Sequence, residues 1–179
     1  MKRAIQIRMK PTIDQWEVSV ADLWSRFDFP GRDEDVAVMR ELAQNCPTTD
    51  SRAAFELAGM YASMGIEAEA GTEYERALEL GLDDAQHARL AVQYRSTLRN
   101  LGRIDEAIAI SSAKRIDEST DSAPRVVLAL ALHSAGRKDG ELRVAIEDQI
   151  EVLPVYQRSM RNYVAALTWS AKSEDLPRR

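Results

Sequence analysis

The sequence predicts an all-α fold, a stack of helical hairpins, and three observations predict it. Around Gly65 two amphipathic segments meet, with Ala54, Leu57, Ala58 and Tyr61 at helical spacing on one side and Ala70, Tyr74, Ala77 and Leu78 on the other. The pattern returns at Gly102, 37 residues after Gly65, and at Gly136, a further 34 residues on. An alanine follows five residues after each of the first two glycines, Ala70 and Ala107, where it lets two helix axes approach closely. One hairpin buries too little apolar surface to stand alone, so a recurring hairpin reads as a stack.

Taken in chain order, residues 3–9 alternate Ile5, Ile7 and Met9 with Gln6 and Arg8. That is a strand-like period with no second strand to pair with. Residues 1–12 are therefore expected to be an N-terminal arm, either loosely packed or reaching into a groove or a second copy of the chain. Residues 13–50 predict a helical pair. Trp16, Val20, Leu23, Trp24 and Phe27 make one apolar stripe, Pro30 and Gly31 break it, and "RDEDVAVMRELAQ" starts the second helix with acids where the helix dipole favours them. The hairpins follow over about 51–84, 88–120 and 122–153. In each, the central glycine suits a turn with positive φ at the end of the first helix. The three extra residues between the first two hairpins fall in "LGLDDAQ", a surface loop. Leu153-Pro154 ends one helix and begins a C-terminal capping helix over 154–173, carrying Tyr156, Met160, Tyr163, Val164 and Leu167 opposite Arg158, Arg161 and Asn162. Residues 174–179 read as a tail.

Composition narrows the function classes. With 45% hydrophobic and 30% charged residues, the chain has the make-up of a soluble globular protein with a core. A net charge of −5 gives no general case for nucleic acid. The longest strongly apolar run, Val126 to Leu132, is far short of a membrane span, and "MKRAIQIRMKPT" lacks the apolar core of a signal peptide, so a cytoplasmic location is expected. Cys46 is the only cysteine, which rules out an intrachain disulfide and a thiolate metal cluster and makes it a small apolar filler. The two histidines, His87 and His133, fall in different elements, and zinc-site spacing is absent. The carboxylates of "RDEDVA" and "LDDAQ" are explained by helix starts and turns, and there is no phosphate-cradling glycine loop. No catalytic residue, cofactor or metal is expected, and the chain reads as a non-enzyme.

The period near 34 and its internal order resemble the tetratricopeptide repeat (TPR). Leu57, Tyr61, Gly65, Ala70, Tyr74 and Ala77 match the family's helix-contact positions in the first repeat, although Ala54 stands where a tryptophan is common and Ala58 replaces the usual glycine. The second repeat keeps Tyr94, Leu98, Gly102 and Ala107 but has Lys114 where a small residue is usual; the third has Leu128, Ala129, Leu132, Gly136 and Ala145, with Glu141 at the alanine position. The resemblance, over roughly 51–150, implies a right-handed superhelical α-solenoid of about three repeats, extended by the N-terminal helical pair and the capping helix. It also implies a concave face lined by the first helix of each repeat.

That resemblance places Arg52, Phe55, Gly59 and Ala62 of the first repeat on the concave face, Arg89, Val92, Ser96 and Arg99 of the second, and Val126, Leu130 and His133 of the third. Phe55, Val92, Val126 and Leu130 would offer an apolar floor and the arginines contacts to carboxylates. The lysines and asparagines by which some TPR proteins grip chaperone tails are missing: those slots hold Phe55, Gly59, Val92, Ser96, Val126 and Leu130. The chain looks like the small bacterial TPR proteins, and the expected role is a scaffold that binds a protein or peptide, with no nucleic-acid or membrane partner. Two alternatives stand beside it. One is a homodimer or larger self-assembly using the groove, the N-terminal arm, or an exposed Trp16, Trp24 or Trp169; the other is a regulatory partner of a neighbouring enzyme or DNA-binding protein.

Overall fold

A computed structural model of the chain describes residues 10–28, 31–112 and 123–167, and the statements below concern these. The strand-like stretch before Lys10, Pro30, Lys114 and Trp169 lie outside them. The described residues form helices and connecting turns without a strand, and they fall into two compact units, 1–83 and 84–179.

Unit 1 holds α1 (Ile13–Arg26), α2 (Asp33–Gln44), α3 (Arg52–Ser63) and α4 (Glu67–Leu80), each packed on the next in chain order. A capping box starts α1, with Thr12 and Gln15 exchanging side-chain and backbone hydrogen bonds at 3.0 and 3.3 Å. The apolar stripe of α1 turns inward through Trp16, Val20 and Leu23 and meets Val36 and Met39 of α2 in the core. Both tryptophans spend their polar edge inside the unit. Trp16 Nε1 donates to the Leu42 carbonyl at 2.8 Å, and Trp24 Nε1 to Glu56 Oε2 at 2.7 Å. Trp16 is thus core rather than the exposed contact surface expected as one alternative, and Trp24 is half-buried. Cys46 is buried, with its Sγ 3.4 Å from Thr48 Oγ1. Between α2 and α3, Arg40 donates to the Tyr61 hydroxyl at 2.9 Å and lies 5.3 Å from the centre of that ring.

Unit 2 holds α5 (Asp84–Asn100), α6 (Ile104–Ser112), α7 (Ala123–Ser134), α8 (Lys138–Glu151) and α9 (Gln157–Ala165). Helices α5, α6 and α7 pack mutually, α8 packs on α7, and α9 on α8. Leu90, Tyr94, Leu98, Ala107, Ile108, Leu128, Ala131, Leu132, Val144, Ile150 and Val164 form its core. Arg137 Nη2 reaches back to Asp105 Oδ1 at 2.9 Å, tying the turn of the third hairpin to the second helix of the hairpin before it.

The three turn glycines all carry the positive φ that the sequence predicts, 71° at Gly65, 77° at Gly102 and 70° at Gly136. Each closes the same pair of bonds. Gly65 N donates to Ala62 O and Ile66 N to Tyr61 O, and the pattern repeats as Gly102 to Arg99 with Arg103 to Leu98, and Gly136 to His133 with Arg137 to Leu132. This is a Schellman ending, in which two otherwise orphaned carbonyls are satisfied by a residue in the left-handed region.

Two expectations need correction. In α8 the buried face is not the one that places Glu141 and Ala145 at the contact positions: Gly140 and Val144 are buried, Glu141 is half-buried and Ala145 exposed. A buried contact position suits a glycine or valine, whereas a carboxylate there would lose its hydration, so the helix turns by about one residue, roughly 100°. The capping helix begins at Gln157, not at Pro154, because Tyr156 adopts φ 70° and so cannot continue a right-handed helix backwards. Of its expected apolar face, Val164 is buried, Met160 and Leu167 are half-buried, and Tyr156 and Tyr163 are exposed.

Candidate functional site

Each predicted contact residue can now be placed within its own unit. In unit 1, α3 is packed by α2 on one side and α4 on the other, which leaves little of it for a ligand. Phe55 is 0% exposed and packs edge-on to Tyr74, ring centroids 6.0 Å apart. Gly59 is buried as well. Phe55 is therefore a core residue and supplies no apolar floor, a correction to the sequence expectation. Arg52 is half-exposed and engaged, with Nη1 3.3 Å from Glu17 Oε1 and Nε 3.5 Å from Asp50 Oδ2. Its role in the unit is to tie α1 and the α2–α3 turn to the start of α3.

In unit 2 the remaining predicted residues fall on two helices that pack together. Along α5, Arg89 is exposed and Val92, Ser96 and Arg99 are half-buried, at steps of three and four residues. Leu90, Tyr94 and Leu98 take the opposite, buried side. Along α7, Val126 and Leu130 are 55% and 45% exposed while Leu128, Ala131 and Leu132 are buried. Two large aliphatic side chains left in water one turn apart on a helix that has an apolar core face of its own make a surface with something left to bury. His133 continues that stripe, its exposed ring donating from Nδ1 to Glu141 Oε2 of α8 at 2.9 Å.

Electrostatics divides the arginines of unit 2 into two kinds. Arg125 of α7 is answered twice, by Glu147 Oε2 at 2.7 Å and Asp148 Oδ1 at 2.5 Å, and Arg143 adds a bond of 2.7 Å to Glu147. Burial works to raise the Glu147 carboxyl, but hydrogen bonds from Arg143 and Arg125 outweigh it and hold its pKa below the ordinary value. Arg103 does the same for Glu106, mainly through its hydrogen bonds. Arg99 meets an amide oxygen, Asn100 Oδ1 at 3.0 Å, and its Nε is buried without an acceptor. Arg95 was missed in reading the sequence. It is 0% exposed within α5, and a signal for it exists: it stands seven residues before Gly102, where the other two hairpins have Ala58 and Ala129.

Among the described residues no cluster of histidine, cysteine or carboxylate side chains could hold a metal ion, and no helix is long and apolar enough to cross a membrane.

Paired antiparallel helices joined by Schellman turns at a period near 34 define the class: a helical-repeat protein of the α-solenoid kind. The family model of the tetratrico peptide repeat matches residues 51–167, and the chain belongs to that family. The match begins at the residue before α3 and ends just past α9, so it takes in seven of the helices and leaves α1 and α2 outside. Domains of this family in general mediate protein–protein interactions and serve as non-catalytic scaffolds. A search of curated proteins gave no match.

Proposed function

We propose that the chain is a non-catalytic scaffold that binds a peptide or helix of another protein on the face of unit 2 formed by α5 and α7. The observation that carries this reading is the pair Val126 and Leu130, exposed on α7 beside a helix whose outer stripe is Arg89, Val92, Ser96 and Arg99. Family membership supports it, because the first helix of each repeat lines the binding side of such domains, and α5 and α7 are first helices. Apolar side chains at the centre with guanidinium groups beside them favour an amphipathic segment carrying acidic residues.

A peptide array tests the reading. Changing Val126 and Leu130 to serine should abolish capture while leaving the helical circular dichroism unchanged, since about half of each residue is already in water. Reversing Arg89 and Arg99 to glutamate should shift capture away from acidic peptides. Undiminished capture by both variants would place binding elsewhere.

Self-association is the second reading, and one observation favours it. Val152, Val155 and Tyr156, between α8 and α9, and Tyr163 of α9 are all exposed, with Tyr156 74% and Tyr163 69% in water. Tyrosine buries much area at small entropic cost, which suits it to contact surfaces.

A further inference from the structure

Among the described residues, Arg95 is a guanidinium without a counter-charge. Its Nη1 donates to the Pro124 carbonyl at the start of α7, while Nε and Nη2 are buried and meet no acceptor. Burial lowers its pKa, but only to about 10, so it is cationic at neutral pH. Leaving such a group dry and unpaired is among the costlier things a fold can do. Packing does not demand it, because the equivalent positions of the other hairpins are satisfied by the methyl groups of Ala58 and Ala129. Nor do its described neighbours offer relief. Glu147 and Asp148 are already engaged, by Arg125 next to Pro124 and, for Glu147, by Arg143 as well, and the side chain one turn along the same face of α5 is another cation, Arg99. Like charges at that spacing repel.

We infer that the seam between α5 and α7 is a carboxylate receptor, in which Arg95 grips an acidic group of the bound peptide and half-exposed Arg99 draws that group in from the surface stripe. The inference rests on the peptide-binding reading above and names the chemistry recognised. A guanidinium presents two parallel N–H donors that match the two oxygens of a carboxylate, and Nε with Nη2 is such an edge. A carboxylate brings the single negative charge that one buried cation can neutralise. A phosphate brings more charge and more hydration to be stripped.

The test is thermal unfolding of the full chain in sodium acetate against sodium chloride at equal ionic strength. Acetate should raise the Tm of the wild type saturably, by about 2–4 °C for each kcal/mol of preferential binding. In Arg95→Met, which keeps the stem and removes the charge, the rise should vanish, and that variant in chloride should melt no lower than the wild type. Arg95→Lys, which keeps the charge but not the fork, should retain only a weak response. N-acetylleucine and N-acetylaspartate α-amide separate a terminal carboxylate from a side-chain one, and a response through Arg95 to either supports the receptor. An equal acetate effect in wild type and Arg95→Met would overturn it, as would no effect in the wild type or an Arg95-dependent response to inorganic phosphate that exceeds that to acetate. A destabilisation by the joint changes Asp117→Asn, Glu118→Gln and Asp121→Asn that disappears in Arg95→Met would also overturn it, since the carboxylate would then be the chain's own. Loss of the acetate response with peptide capture intact removes the receptor and leaves the binding face; capture lost with the response intact does the reverse.

Discussion

A phenylalanine packed edge-on to Tyr74, with none of its surface in water, acts on stability and not on recognition. Phe55→Ala should therefore cost about 3–5 kcal/mol in urea unfolding, the range for emptying a buried aromatic site, while peptide capture by the folded fraction stays unchanged. A selective loss of capture with unchanged stability would restore Phe55 to the surface. Arg95 is the converse case. Its side chain costs the fold something in isolation, and the receptor proposed above would supply the group that neutralises it. Neither role can be read from residue type and spacing alone. Both residues sit on first helices of their hairpins, at positions where helical geometry allows an inward or outward direction depending on what packs alongside.

Among the elements, the three Schellman turns were legible because they depend on a few consecutive residues: a glycine that tolerates positive φ, placed just after a helix. The face of α8 was harder. Its repeat pattern is blurred by Glu141 and Ala145, and only the packing against α7 shows that Gly140 and Val144 turn inward. The same pair of helices is clamped by the Arg125–Glu147–Arg143 cluster, which makes a pH prediction possible. The folded pKa of Glu147 lies below its ordinary value of 4.5, so folding is favoured by ionised Glu147. That contribution is complete above the unfolded pKa and is lost as the pH falls through the lower, folded one. Wild type should thus lose stability on acidification below about pH 4.5, and Glu147→Gln should show a shallower loss over the same interval. Parallel acid limbs in chemical unfolding would remove Glu147 from the account. Its partly exposed setting keeps the difference small, within the range of surface ion pairs.

On the scale of the whole molecule, two compact units share one chain, and the tetratrico peptide repeat match, residues 51–167, takes in α3 and α4 of the first and the described helices of the second. The exposed tyrosines of unit 2, Tyr156 and Tyr163, bear on assembly. If it mediates self-association, light scattering over a concentration series should show a mass that grows with concentration and becomes constant in Tyr156→Ser/Tyr163→Ser. A constant monomer mass for the wild type would leave peptide binding as the sole reading of the two. The hairpin order, the period and the turn conformations follow from the sequence by itself, because helix periodicity and glycine endings are properties of short stretches of chain. Tertiary structure alone decided that Phe55 and Trp16 are inside, that Tyr163 is outside, and that Arg95 is enclosed without a carboxylate among the described residues. Burial and pairing are set by residues far apart along the chain, and one helical stripe can face either a neighbouring helix or water.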